Sequence, residues 1–488
     1  MRKLTQVVLL LILARPAAAH VGSPDIFFEG NAGPYRLFVT VRTPRVIPGV
    51  AGIEIRSQSA IREIRVAPLL LTGLGSENSP APQVAERSAD DPQFFACSVW
   101  LMQFGVFQLR IHAYGAQGEG QLVVPVPATV QGTLRMQNTL AFALTALMIF
   151  LSIGAVSVVG AFFRDGMLEP GADRRPVDLR RGRLAMLAAA ISVVGILYLG
   201  NRWWNWDAEV ATRRIYRAPR LAANLESGEY MLLRATDPEW LQLVGRHPLI
   251  PDHGYLMHLF LVRFPEMDRF WHLHPRQIKP GVFLQGLPSM PSGLYKIFAD
   301  VVHEDGFPET LLAEITLPGM QGSPLTGDDS EASARPVSRV SQISGVSELP
   351  DGGRVLWERD AAPLKPNVPG HFRFRVEGRD GKPVQDLEPY MGMAGHAEFL
   401  SWDGTVFAHV HPAGSVSMAA LQIAEASLMP DMANLQPSPH RNHSLSAAAL
   451  PPEVSFPYGF PRPGQYRIFV QMKRAGRIQT AVFDAQVK

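Results

Sequence analysis

Histidine and methionine recur in this chain at a spacing suited to holding a metal ion. The phrase Phe270-Trp271-His272-Leu273-His274-Pro275 returns 137 residues later as Phe407-Ala408-His409-Val410-His411-Pro412. His253 and His258 precede the first copy, and Met391 and His396 precede the second. Both upstream pairs are five apart, and both are offset by 138 between copies. Residues two apart on a strand share a face, so each His-x-His projects two imidazoles together. The proline that follows ends such a strand or confines it to an edge, because it has no N–H for the ladder. One or two further ligands then complete a site. His253 and His258 supply them in the first copy. In the second they come from Met391-Gly392-Met393-Ala394-Gly395-His396, which makes Met391, Met393 and His396 candidates.

The donor types narrow the ion. A thioether is soft and selects Cu(I), whereas imidazole suits copper, zinc, iron and nickel. Calcium and magnesium need oxygen ligands, and neither phrase carries a carboxylate cluster. Structural zinc sites favour cysteine, and the single Cys97 lies far away in an apolar run that reads as a buried, inert thiol. Copper, as Cu(I) or Cu(II), is the expected cofactor. Two histidines on one strand also suit a solvated polar face, but both copies keep ligand-capable residues at all four positions. Twelve of the 14 histidines lie beyond residue 245. Among them, His247, His303 and His371 read as ordinary surface residues. Met418, Met429, Met432, His440 and His443, in an insertion over 413–452, suit a second, looser capture site.

These phrases must be positioned by the surrounding chain, whose ends and apolar segments indicate where it lies. Residues 1–19 have the features of a signal peptide: Arg2 and Lys3, an apolar core, then Ala17-Ala18-Ala19. Cleavage there leaves His20 first, with an α-amine and an imidazole able to chelate Cu(II); His112 is the only other histidine of that region. Residues 139–163 and 184–200 are uncharged and long enough to span a bilayer. The loop 164–183 between them holds six arginines, which places it in the cytoplasm, and Trp203, Trp204 and Trp206 form an interfacial belt. The expected protein is thus two-pass in the inner membrane, with both flanking regions on the periplasmic side. A net charge of +2 gives no electrostatic basis for nucleic acid.

The flanking regions read as mainly β: three Ig-like sandwich domains, with the transmembrane hairpin between the first and second. Residues 20–130 show short β-branched and aromatic runs between turn residues. Residues 207–318 carry His-Leu-His-Pro, and 354–488 carry His-Val-His-Pro. The stretch 319–353, rich in Ser, Gly, Asp and Pro, reads as a flexible linker. Gly105-Val106-Phe107, Gly293-Leu294-Tyr295 and Gly464-Gln465-Tyr466 open one related strand in each domain.

A sandwich headed by His20-Val21-Gly22, joined to a membrane segment and to His/Met phrases, resembles the periplasmic copper-binding CopC-like and YtkA-like domains. As a whole, the chain is similar to uncharacterised bacterial exported membrane proteins sharing Met391-Gly392-Met393-Ala394-Gly395-His396 and the His-x-His-Pro phrases. That group carries no settled activity, so the expectation rests on the His and Met residues and the topology: a membrane-anchored extracytoplasmic metal-binding protein, with copper as the ion, for metal trafficking or tolerance, whose partners are the ion, the bilayer and another membrane or periplasmic protein. The alternative is a non-catalytic structural or interaction module. Catalysis is not expected, since neither His pair is followed by a cupin glutamate and no zincin, nucleophile-elbow or phosphate-loop motif is present.

Overall fold

Alternating apolar and polar residues between Gly, Pro and Asn turns fold into strands on both sides of two long helices. In the computed structural model the residues described are 25–73, 75–76, 78–134, 136–169, 171–213, 215–236, 248–340, 344–360, 362–428 and 450–488. The chain is mainly β, with several sheets and two long apolar helices. His20, His247, Met429, Met432, His440 and His443 lie outside the described residues.

The first region begins with β1 (Asp25–Ala32) and places β2 (Gly105–Gly115) in a four-stranded sheet; β1 itself lies in a five-stranded one. The helices are α1 (Asn138–Asp165) and α2 (Pro176–Arg213), each apolar and long enough to cross a membrane. The second helix starts earlier than hydropathy implies and takes in residues 176–183 of the arginine-rich loop, with Arg180, Arg181 and Arg183. Pro176 suits a first helical turn, and Asp178 there pairs with Arg175 at 2.9 Å. Close contact between the two helices falls at Gly160 and Gly182, where an added Cβ would meet Met186 and Arg164 side chains. Val130–Tyr216 form one compact unit, and all other described residues form a second.

Within that second unit, β3 (His258–Phe264), β4 (Arg269–Leu273), β5 (Gly293–His303) and β6 (Ser330–Ser333) are neighbours in one ten-stranded sheet, in the order β5-β3-β4-β6. Two stretches of this sheet, Leu221 to Leu233 and Leu259 to Leu273, line a single apolar core. The last region repeats the arrangement with β7 (His396–Ser401), β8 (Phe407–Val410) and β9 (Gly464–Arg474), in the order β9-β7-β8. Helix α3 (Met418–Ala426) follows β8.

The stretch expected as a flexible linker is in part folded. Its β6 pairs with β4 through His272↔Ser330 and Arg269↔Ser333, because small alternating residues fit beside the exposed edge of β4. As expected, β4 stops at Leu273 and β8 at Val410, each two residues before a proline. Only β8 is an edge strand, since β6 covers β4.

Candidate metal centre

The two His-x-His strands face one another. Three features recur on both sides with the roles exchanged. Phe298 of β5 stacks on Phe407 (4.5 Å, 10°), and Phe469 of β9 stacks on Phe270 (4.2 Å, 15°). His409 Nδ1 lies 3.3 Å from Asp300 of β5, and His272 Nδ1 lies 2.8 Å from Gln471 Oε1 of β9. Asp300 and Gln471 occupy equivalent ladder positions, opposite His258 and His396. Lys296 donates to the Asp403 carbonyl at 3.1 Å, and Arg467 donates to the Met267 carbonyl at 2.7 Å. The two halves are thus related by a pseudo-two-fold exchange.

The upstream turns are built alike. His253-Gly254 (φ 50° and 87°) and Met391-Gly392 (φ 49° and 82°) each occupy the two left-handed positions of a hairpin-type turn. Asp252 and Tyr255 exchange backbone hydrogen bonds around the first; Tyr390 and Met393 do so around the second. Glycine at the second position meets the left-handed requirement at no steric cost.

Seven imidazoles collect where the halves meet. His253, His396 and His411 form one group and His258, His272 and His274 another; within each group one ring nitrogen per residue lies within 4.8 Å of the others. His409 lies between, with ring centroids 4.6 Å from His411, 5.4 Å from His396 and 5.9 Å from His272. The sequence pattern implied that each domain would assemble its own four residues. Instead His253 crosses to the histidines of the other half, and its Nε2 stands 3.2 Å from His411 Nε2. Sequence separation cannot disclose such an exchange, because it depends on how the domains dock.

Outer hydrogen bonds fix where the protons sit. His258 Nε2 donates to the Asp252 carbonyl (3.0 Å), His272 Nδ1 to Gln471, and His274 Nδ1 to Asp329 (2.9 Å). The lone pairs therefore remain on His258 Nδ1, His272 Nε2 and His274 Nε2, and the first two are 3.1 Å apart. In the other group His411 Nδ1 donates to the Val416 carbonyl at 3.1 Å, leaving Nε2 turned toward His253. An outer acceptor holding each ring while the inner nitrogen stays free is the usual support of a metal-bound histidine. Two nitrogens each about 2.05 Å from one tetrahedral ion are about 3.3 Å apart, close to the separations seen. His274 Nε2, His409 Nε2 and both nitrogens of His396 are buried with no hydrogen-bond partner among the described residues. Such groups are costly to bury unless something binds them. The donor set fits a d-block cation.

Burial sets the charge state. It pushes His253 and His411 down to about 4, and holds His258, His272, His396 and His409 well below the ordinary imidazole value, aided by neighbouring histidines. All six are therefore neutral at pH 7, as a metal ligand must be. Burial also raises Asp300 to about 7, and burial with Asp300 nearby holds Glu398 well above the ordinary carboxyl value.

Several residues here escaped the sequence reading. Asp300, Gln471 and Asp329 hold rings from distant segments, which no local spacing signals, while Asp252 holds His258 through its backbone carbonyl six residues away. Glu398 was legible in principle, since His396-Ala397-Glu398 places it on the same strand face as His396. It pairs with His409 in the ladder, and both its oxygens are buried without a partner among the described residues. Met391 and Met393 are half-buried at the second turn. His303 and His371 lie apart from the cluster, paired with Glu309 (2.9 Å) and Glu29 (3.2 Å). Met418 is buried in α3.

Residues 347–488 match a domain family of unknown function, DUF8832. No curated protein matches the chain. Dimeric latent PorU from Porphyromonas gingivalis is 8% identical with a TM-score of 0.14, over 96% of this chain and 34% of that one. Escherichia coli alpha-2-macroglobulin activated by porcine elastase is 8% identical with a TM-score of 0.18, over 95% and 31%. A putative membrane anchored protein from Corynebacterium diphtheriae is 10% identical with a TM-score of 0.15, over 95% and 94%. The chain spans about a third of the length of the first two. Likeness this low carries no argument about function.

Proposed function

We propose that this protein is a membrane-anchored, extracytoplasmic metal-binding protein, with copper as its ion, serving metal trafficking or tolerance rather than catalysis. One observation carries the reading: buried imidazoles converge from the two His-x-His strands and their neighbours, and four of them, His258, His272, His274 and His411, have the outer nitrogen tied to an acceptor and the inner nitrogen turned into the cluster. A structural polar cluster would pair those inner nitrogens with hydrogen-bond donors. Histidine with methionine, and no cysteine, favours copper over zinc. The signal-like N-terminus, the arginine loop and the two apolar helices support a two-pass inner-membrane protein with both β regions in the periplasm.

The same reading takes the β regions as three related Ig-like domains of the CopC-like or YtkA-like kind. β2, β5 and β9 each span 11 residues and open on a glycine of positive φ. Tyr295 and Tyr466 each donate to a backbone carbonyl four residues upstream, at 2.6 and 2.9 Å, as in the tyrosine corner of such sandwiches.

Elemental analysis of the full-length protein, purified in detergent from copper-supplemented cells, tests this. Stoichiometric copper is expected, and the double variant His272→Ala/His409→Ala should lose it. Copper-free wild-type protein, or full copper in a correctly folded double variant, would leave only an interaction module.

A further inference from the structure

The two halves of the centre match in backbone and differ in chemistry at three equivalent places. His253 of the first turn corresponds to Met391 of the second, from the shared φ angles and turn hydrogen bonds. Glu398, opposite His409, corresponds to Phe260, opposite His272. Asp300, which holds His409, corresponds to Gln471, which holds His272. Each difference has the same sense. One group has an imidazole and two carboxyl groups where the other has a thioether, an aromatic ring and a neutral amide.

The exchange also assigns Met391. His253 reaches across the pseudo-axis to His396 and His411, so the equivalent turn offers Met391 to His258 and His274. The two turns touch, since His253 hydrogen-bonds to the backbone of Met391. The Phe260 ring stacks on His272 at 4.3 Å and gives that group an apolar floor. Asp329, on His274, is partly exposed. By contrast Glu398 is fully buried and presents two oxygens with no described partner.

We propose that the centre holds two ions of unequal charge: a cuprous ion at His258, His272, His274 and Met391, and a divalent ion at His253, His396, His409 and His411 with the Glu398 carboxyl group as its neighbour. The proposal rests on the metal-binding reading above. A thioether with neutral imidazoles in an apolar setting favours the soft monovalent ion. A buried dication needs nearby groups able to carry negative charge, and Glu398 and Asp300 are the carboxyl groups placed on that side.

The test uses full-length protein in detergent, stripped of metal, then titrated separately with Cu(I) under anaerobic conditions and with Zn(II). Wild type should take up one tight Cu(I) that Zn(II) does not displace, and one Zn(II). X-ray absorption of the Cu(I)-loaded protein should show a sulfur neighbour. Met391→Leu should remove that sulfur and weaken Cu(I) on the order of tenfold to a hundredfold, the range for losing a supporting group, with Zn(II) unchanged. Glu398→Gln, close in volume, should weaken Zn(II) and spare Cu(I). Met391→His should convert the protein to two Zn(II) sites. Metal binding without a sulfur neighbour, or both variants weakening both ions alike, would overturn the inequivalence and leave the metal-binding reading standing. No stoichiometric metal of either kind would overturn both.

Discussion

The first β region and the two that follow the helices share a strand plan but not a chemistry. Seven residues after its opening glycine, β2 carries His112, β5 carries Asp300 and β9 carries Gln471. His112 sits half-buried between Arg65 and Gln121 in its ladder. Asp300 and Gln471 instead each hold a histidine of the other half. The strand plan is therefore not what makes the site. Packing of β3, β4 and β5 against β7, β8 and β9 makes it, by burying a polar face that would otherwise be solvated.

Acid should loosen the docked pair first, and this is the largest effect expected. His253 and His411 are held at about 4 by burial, against about 6.5 unfolded. A depressed histidine favours folding above the unfolded value, and that contribution is lost as pH falls from about 6.5 through 4. Each residue contributes on the order of 3 kcal/mol to this loss. Urea unfolding of metal-free protein should therefore show a midpoint falling steeply between pH 7 and 5. Bound metal should protect against the fall, since only neutral rings bind it. An unchanged midpoint across that range would mean that the histidines are not buried as described.

A smaller effect separates the two sides of the docking surface. Arg467 is fully buried, grips Asp484 through two contacts of 2.9 Å and donates to the carbonyls of Met267 and Arg335. Replacing it with Met leaves the partly buried Asp484 and two backbone carbonyls without their donor, a loss of about 3 kcal/mol. Its equivalent, Lys296, is partly exposed and contacts Asp403 and the Phe264 ring, so Lys296→Met should cost about 1 kcal/mol or less. Equal losses from the two variants in chemical denaturation would refute the asymmetry.

Much of this arrangement was legible in the sequence. The paired His-x-His-Pro phrases, their upstream partners, the β character and both apolar helices follow from spacing and hydropathy. What sequence could not give was the exchange of His253 and the supports Asp300 and Gln471. Gln471 lies 199 residues from the ring it holds, and only docking joins such partners. The apparent linker misled because Ser, Asp and Gly suit both mobile chain and tight edge strands. Its Asp329 holds His274. Cys97 fits the inert reading, with burial raising its thiol to about 11.

The smallest expected effect tests whether the first region stands outside this chemistry. His112 is half-buried, and burial with Arg110 nearby lowers its proton affinity. Its ladder neighbours Arg65 and Gln121 are not metal ligands of the kind gathered at the docking surface. A partly exposed strand residue without a buried network typically contributes within about 0.5 kcal/mol. His112→Ala should thus leave the unfolding midpoint and the metal content of the full-length protein nearly unchanged. If the variant instead lost one ion, His112 would be a ligand and the strand plan itself would carry metal chemistry. The contrast between a solvated histidine and a docked cluster would then collapse.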